Sequence, residues 1–182
     1  MKRAYVVLAE GFELIEAMTP VDVLKRCGVD VETLSIGEKL EVTSSQGVTV
    51  RADRFFEDEK FRDGDLLVLP GGYPGYENIG KHLGVMDLAK YYLEEGKVLG
   101  AICGAPSALA KAGLLKGRRV TSHFTVRELL GEVDYVDEKV VVDENLITST
   151  GAGRSLEFSL ALGEALTSRE VLEKVKKGMT LL

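Results

Sequence analysis

The sequence is short of cysteine, short of positive charge and without a long apolar run, and each shortage closes off a class of protein. Its two cysteines, Cys27 and Cys103, cannot make a disulfide framework, and with no CxxC motif or Cys/His cluster there is no zinc signature. A reducing cytoplasm is the expected compartment. Lys and Arg number 23 against 29 Asp and Glu, a net charge of −6, whereas phosphate backbones and anionic lipid call for clustered cations. Nucleic acid and membrane are therefore not expected partners. The apolar stretch Ala4 to Ala9 is broken at once by Glu10 and Glu13, too short for a signal segment or a membrane span. There is no internal repeat, linker or low-complexity segment, and the mixed-charge tail Arg169 to Lys177 reads as a solvated helix face.

What is present fits one globular domain over 1–182: 45% apolar and 29% charged residues, on a chain long enough to bury a sizeable core. Strand and helix patterns alternate, so the expected class is α/β with a doubly wound, mainly parallel sheet. Ala4–Ala9, Val31–Ser35, Leu66–Leu69 and Val98–Ile102 read as buried strands, apolar without alternation. Val48–Ala52 reads as a short strand or edge ribbon, and Val120–Phe124, Val133–Val136, Val140–Val142 and Leu146–Ser149 as further strands. Helices are expected at Ile15–Cys27, Asp87–Glu95, Ala105–Ala112 and Leu156–Leu166. Pro20 inside the first predicts a kink or a late start, and Gly28 suits its C-terminus.

The most informative stretch is Val98-Leu99-Gly100-Ala101-Ile102-Cys103-Gly104-Ala105-Pro106, a buried strand running straight into a glycine and then a helix. Such an elbow lifts its apex residue, Cys103, toward the carboxyl edge of the sheet, where open α/β sheets hold ligands. A helix N-terminus favours thiolate by about 0.3–2 kcal/mol, well short of the ~4 kcal/mol needed to bring a thiol from about 8.5 to about 5.5, so other groups must contribute. Leu69-Pro70-Gly71-Gly72 ends a second strand and reads equally as a plain turn or as a set of amides facing the same crevice. Glu16, between Ile15 and Ala17-Met18, reads either as a surface acid near a helix start or as a partly buried, protonated carboxyl that donates to the sulfur. His123, placed in the strand after the Cys103 helix, is a candidate base or proton shuttle, although a lone strand histidine is more often structural. His82 reads as an exposed loop residue and Cys27 as inert packing.

These residues lie on segments that resemble, collinearly and over nearly the whole length, the ThiJ/PfpI superfamily and within it the Parkinsonism-associated protein deglycase branch. The segments are AYVVLAEGFELIEAMTPVDVLKRCG, LLVLPGGYPG, GAICGAPSALAKAGLL, VTSHF and LITSTGAGRSLEFSLALGEAL. The resemblance implies a flavodoxin-like, class I glutamine amidotransferase-like sheet and a homodimer. It places the nucleophile on Cys103, a protonated glutamate on Glu16, a nearby histidine on His123 and backbone amides facing the sulfur on Gly72 and Gly104, with Gly71 beside them. Two departures stand out. Gly104 follows the cysteine where peptidase-like members carry histidine, which counts against a cysteine peptidase. Gln46 stands where some relatives have an anion-binding arginine, while Arg26 matches another.

The leading expectation is a cofactor-independent, metal-free enzyme acting on small α-oxoaldehydes such as methylglyoxal or glyoxal, or on their adducts with amines and thiols. The alternative is a redox-responsive stress protein or chaperone in which Cys103 is oxidised to sulfinate. An intracellular peptidase would further need a carboxylate behind His123, and the sequence offers no candidate.

Overall fold

In the computed structural model, which describes residues 1–57 and 59–182, a seven-stranded sheet has helices packed on both faces. Its middle strands are β1 (Arg3–Leu8), β2 (Asp30–Ser35), β6 (Leu66–Leu69), β7 (Val98–Ile102) and β11 (Leu146–Ser149), all paired in parallel. The edges are β5 (Arg54–Phe55), parallel to β2, and β10 (Val140–Asp143), antiparallel to β11. The order β10-β11-β7-β6-β1-β2-β5 is the expected doubly wound arrangement. A hairpin of β3 (Glu41–Thr43) and β4 (Thr49–Arg51) stands apart from the main sheet.

Strand alternation sorts the core into two layers. Tyr5, Val7, Leu67, Leu69, Leu99 and Ala101 face α3 (Leu83–Glu94) and α4 (Ala105–Lys111). Ala4, Val6, Leu8, Leu66 and Val68 face α1 (Leu14–Arg26), α5 (Ser155–Leu166) and α6 (Arg169–Gly178). Both faces are dry, which is why these strands read as continuous apolar runs. Gly100 leaves room for α5: a Cβ there would lie 2.8 Å from Leu162 Cδ2 and 3.0 Å from the Phe158 ring.

Several elements depart from expectation, each for a local reason. The first helix begins at Leu14, capped by the Glu13 carboxylate on the Glu16 amide at 2.9 Å, and runs through Pro20, so there is no late start. The strand expected at Val120–Phe124 is only β8 (Arg119–Val120), paired with β9 (Asp134–Tyr135). Beyond it the Thr121 amide donates to the Thr148 hydroxyl at 3.0 Å instead of to a backbone ladder, and Phe124–Leu129 forms a 3₁₀ turn. The helix expected from Asp87 begins a turn earlier because His82 Nδ1 accepts from the Val85 amide. His82 is half-buried, edge-on to Phe56 at 5.0 Å, and is not a free loop residue. The tail helix α6 buries Leu172 and Val175, so its face is not wholly solvated. A short helix, α2 (Gly75–Lys81), was hidden by its glycine-rich start. Cys27 is buried beside Gly163, as a packing residue should be. Among the described residues no helix is long and apolar enough to cross a membrane.

The start of α2 is locked to the loop after β1. A Cβ on Gly75 would lie 2.7 Å from both N and Cα of Phe12, backbone atoms that no side-chain rotation can move. Gly75→Ala is therefore expected to lower the unfolding free energy by about 1–3 kcal/mol, outweighing the ~0.4–1 kcal/mol gained from a stiffer unfolded chain. Urea unfolding checks this: the midpoint should fall at constant m, and an unchanged midpoint would mean the loop yields freely.

Candidate active site

Strand order reverses between β1 and β6, and the groups singled out in the sequence meet beyond the carboxyl ends of β1, β6 and β7. Glu16 comes from the first turn of α1, Gly71 and Gly72 from the loop after β6, and Cys103 from the elbow between β7 and α4. Cys103 has φ 63, a left-handed backbone that a non-glycine residue occupies at a cost of order 1–3 kcal/mol. It is pinned there from two sides. Its amide donates to the Ser149 carbonyl at 3.0 Å and its carbonyl accepts from the His123 amide at 2.9 Å.

Glu16 has no solvent exposure, although its neighbour Ile15 is 47% exposed. The apolar setting is thus tertiary and does not come from adjacent residues. Its Oε2 accepts from the Gly71 amide at 2.8 Å, while the buried Oε1 has no hydrogen-bond partner. The Cys103 thiol is its neighbour in the pocket, since a Cβ on Gly71 would lie 2.6 Å from Glu16 Oε2 and 3.1 Å from Cys103 Sγ. Burial pushes Glu16 up to about 7, opposed by the Gly71 amide and helped by the negative Glu13. Burial and the Glu16 carboxylate likewise push the thiol up to about 12, opposed by the Gly72 and Gly104 amides. Glu16 raises the thiol, whereas the thiol, as a donor, lowers Glu16, so burial, helped by Glu13, keeps the carboxyl high enough to change its protonation near neutral pH. When a proton sits on Oε1, the carboxyl donates to the sulfur, and its charge no longer opposes a thiolate.

Gly71 departs from its expected place among amides free for an oxyanion: its N–H is committed to Glu16 and its carbonyl accepts from the Glu13 amide at 2.9 Å. It also admits the carboxyl, since a Cβ at Gly71 would stand 2.6 Å from both Glu16 Oε2 and Cys103 Cβ. The Gly72 and Gly104 amides are the ones turned to the sulfur. His123 caps the 3₁₀ turn and is not a strand residue. Its Nδ1 lies 2.7 Å from the Thr125 hydroxyl, and its Cδ2 edge faces Gly151, whose Cβ position is 3.9 Å from both Cys103 Sγ and Glu16 Oε1. The group behind His123 is thus a hydroxyl and not the carboxylate a peptidase triad uses.

Arg26 is not brought to this site. It ends α1, about 15 Å along the helix from Glu16, ion-paired with Asp22 at 2.9 Å and lining a separate cleft with Lys174. Gln46 is nearer: its Nε2 donates to Glu13 Oε1 at 3.1 Å and its Oε1 accepts from the Leu14 amide at 3.1 Å, which fastens the start of α1. Sequence reading missed Gly151, and also Tyr76, whose ring lies where a Cβ on Gly104 would be, 2.4 Å from Cδ1. Only the glycine itself hinted at either contact. Among the described residues no three His, Cys, Asp or Glu side chains gather as metal ligands.

Residues 2–165 match the DJ-1/PfpI family model. The chain is 37% identical to Protein dj-1beta of Drosophila melanogaster, over 98% of this chain and 96% of that one. The crystal structure of that protein superposes with a TM-score of 0.93, covering 98% of this chain and 97% of its own. Identity is 38% to Protein DJ-1 homolog B of Arabidopsis thaliana, over 91% of this chain, which spans 38% of that longer protein. It is 33% to the glutathione-independent glyoxalase DJR-1.2 of Caenorhabditis elegans, over 99% of this chain and 97% of that one.

The Glu16 shift carries a stability signature. A carboxyl at about 7 in the native state and near its ordinary 4.5 when unfolded binds more proton in the native state between those values, so stability falls as pH rises through that window. Glu16→Gln keeps an acceptor for Gly71 and removes the titration. Its stability relative to wild type should rise between pH 4.5 and 7, by up to roughly 3 kcal/mol, and level off outside that range. Parallel stability curves for the two proteins would contradict a carboxyl titrating near 7.

Proposed function

Taking as premise that the chain belongs to the DJ-1/PfpI family, we propose that it converts α-oxoaldehydes, free or as adducts with amines and thiols, into α-hydroxy acids by way of Cys103. The observation that carries this reading is the Glu16–Cys103 pair, a fully buried carboxyl packed beside a thiol that faces two backbone amides.

In the proposed course the Cys103 sulfur attacks the aldehyde carbon and forms a C–S bond. The developing oxyanion is met by the Gly72 and Gly104 amides and takes the proton from Glu16, giving a hemithioacetal. The Glu16 carboxylate then removes the hydrogen on that carbon as a proton, and the electron pair moves to the neighbouring ketone carbon through an enediol. Reprotonation there leaves a thioester of the α-hydroxy acid. Water, activated from the cleft side by His123, cleaves the C–S bond and returns the thiol. The carbon that began as aldehyde ends oxidised and its neighbour ends reduced, so the balance requires only water. The relative named as a glutathione-independent glyoxalase lends support, since its name describes this class of conversion without an added thiol. The proposal includes a homodimer in a reducing cytoplasm.

One feature favours a second reading: Cys103 is partly exposed, and Glu16 Oε1 and the two amides could equally hold the oxygens of a peroxide-derived sulfinate. Turnover separates the two. In amine-free and thiol-free buffer, the wild-type protein should make many equivalents of lactate from methylglyoxal and Cys103→Ser none. Glu16→Gln, which cannot move the proton, should lose about 10²-fold or more in kcat. Consumption that stops near one equivalent per thiol would defeat the enzyme reading and favour the sensor.

A further inference from the structure

We propose that the cleft beside Cys103 selects substrates carrying a carboxylate beyond the oxoaldehyde end, and that Arg154 is the residue that receives it. This rests on the α-oxoaldehyde reading. The cleft has a volume of about 480 Å³ and shares two of its walls, His123 and Gly151, with the surroundings of the thiol. It falls within the usual ~300–1,000 Å³ of small-molecule sites, far more than a three-carbon aldehyde occupies.

Its lining is suited to a larger anionic molecule. Phe124 is 77% exposed and lies against the His123 ring at 4.3 Å, an apolar shelf left in solvent beside the reacting group. Tyr135 forms another part of the wall, with the Arg127 guanidinium 4.3 Å from its ring. Arg154 is fixed in place by its amide, which donates to the Gly151 carbonyl at 2.8 Å, one turn from the residue that faces the sulfur. Among the described residues its guanidinium meets one partner, Nη1 donating to Glu157 Oε1 at 3.1 Å, with both side chains more than a third exposed. An exposed pair of this kind is weak, and most of the guanidinium donors remain for a second carboxylate. The opposing charge in the cleft is Asp137, exposed at its edge. The two charges must therefore act on an anionic substrate with opposite sign.

The test uses a matched pair, phenylglyoxal and 4-carboxyphenylglyoxal. Wild type should favour the carboxylated compound in kcat/KM by about fivefold at low salt, through KM, with the preference shrinking as salt screens it. Arg154→Gln should bring the ratio near one while leaving phenylglyoxal turnover unchanged, and Asp137→Asn should raise it. A ratio that Arg154→Gln leaves intact overturns the proposal. If wild type turns over neither compound, the α-oxoaldehyde reading fails, and the cleft is judged by equilibrium binding of the stable acids mandelate and 4-carboxymandelate. A preference for the second that is lost in Arg154→Gln upholds the site, and equal affinities overturn it.

Discussion

The hydrogen bond from the Gly71 amide to Glu16 Oε2 holds a carboxyl group where a carboxyl group is costly, out of water and against a thiol. A fully buried carboxylate with one backbone partner is poorly compensated, so the group takes up a proton and becomes a donor instead. Everything near it is arranged around that exchange. Oε1 has no hydrogen-bond partner, and the Cys103 sulfur beside it is the natural recipient of a proton it carries. Were Glu16 at the surface, the thiol would have only the Gly72 and Gly104 amides to stabilise its anion.

That constraint extends back into the fold. For the carboxyl and sulfur to meet, the chain after β1 and the chain after β7 must both approach the loop after β6, and that loop must have no side chain where they converge. Gly71 satisfies this for the acid, Gly75 for the loop carrying it, and Gly104 for the Tyr76 ring that closes the other side. Cys103 cannot be replaced by glycine without losing its sulfur, so here the left-handed backbone is held against its own preference by bonds to Ser149 and His123. The parallel pairing of β11 with β7 makes the first of these bonds possible, since it brings Ser149 beside Ile102 at the strand end.

The sheet, its parallel character and the elbow at Cys103 were legible because they are written locally, in apolar runs bounded by glycine and proline. Features settled by distant contacts were not. Thr121 and Ser122 extend the apolar strand at Val120 in any local reading, yet Thr148 takes the Thr121 amide and the strand stops. Glu16 looked like one of three similar acids, and neither Ile15 nor Met18 explains its burial; Gly71 and Cys103, 55 and 87 positions away by number, do. The glycine pair after β6 was legible as a site, but which of its amides served which partner depended on the path of the loop. Gly151, Tyr76 and the seating of Arg154 had no local signature at all.

The distribution of positive charge follows the same logic. Gln46, though it lies at the start of α1, spends its amide on Glu13 and Leu14 and so steadies the acid's helix instead of offering a charge to a ligand. Adding a cation at that position would draw Glu13 away from its cap on the Glu16 amide and would weaken the negative field that helps keep Glu16 protonated. Under the proposed reading, a cation for an anionic substrate is better placed away from Glu13, as on the cleft wall beyond Gly151, where it would not stabilise the Glu16 carboxylate. Arg154, tied to Glu157 and lining the cleft, is the cation the proposed recognition would use, on a wall to which neither Glu13 nor Glu16 contributes.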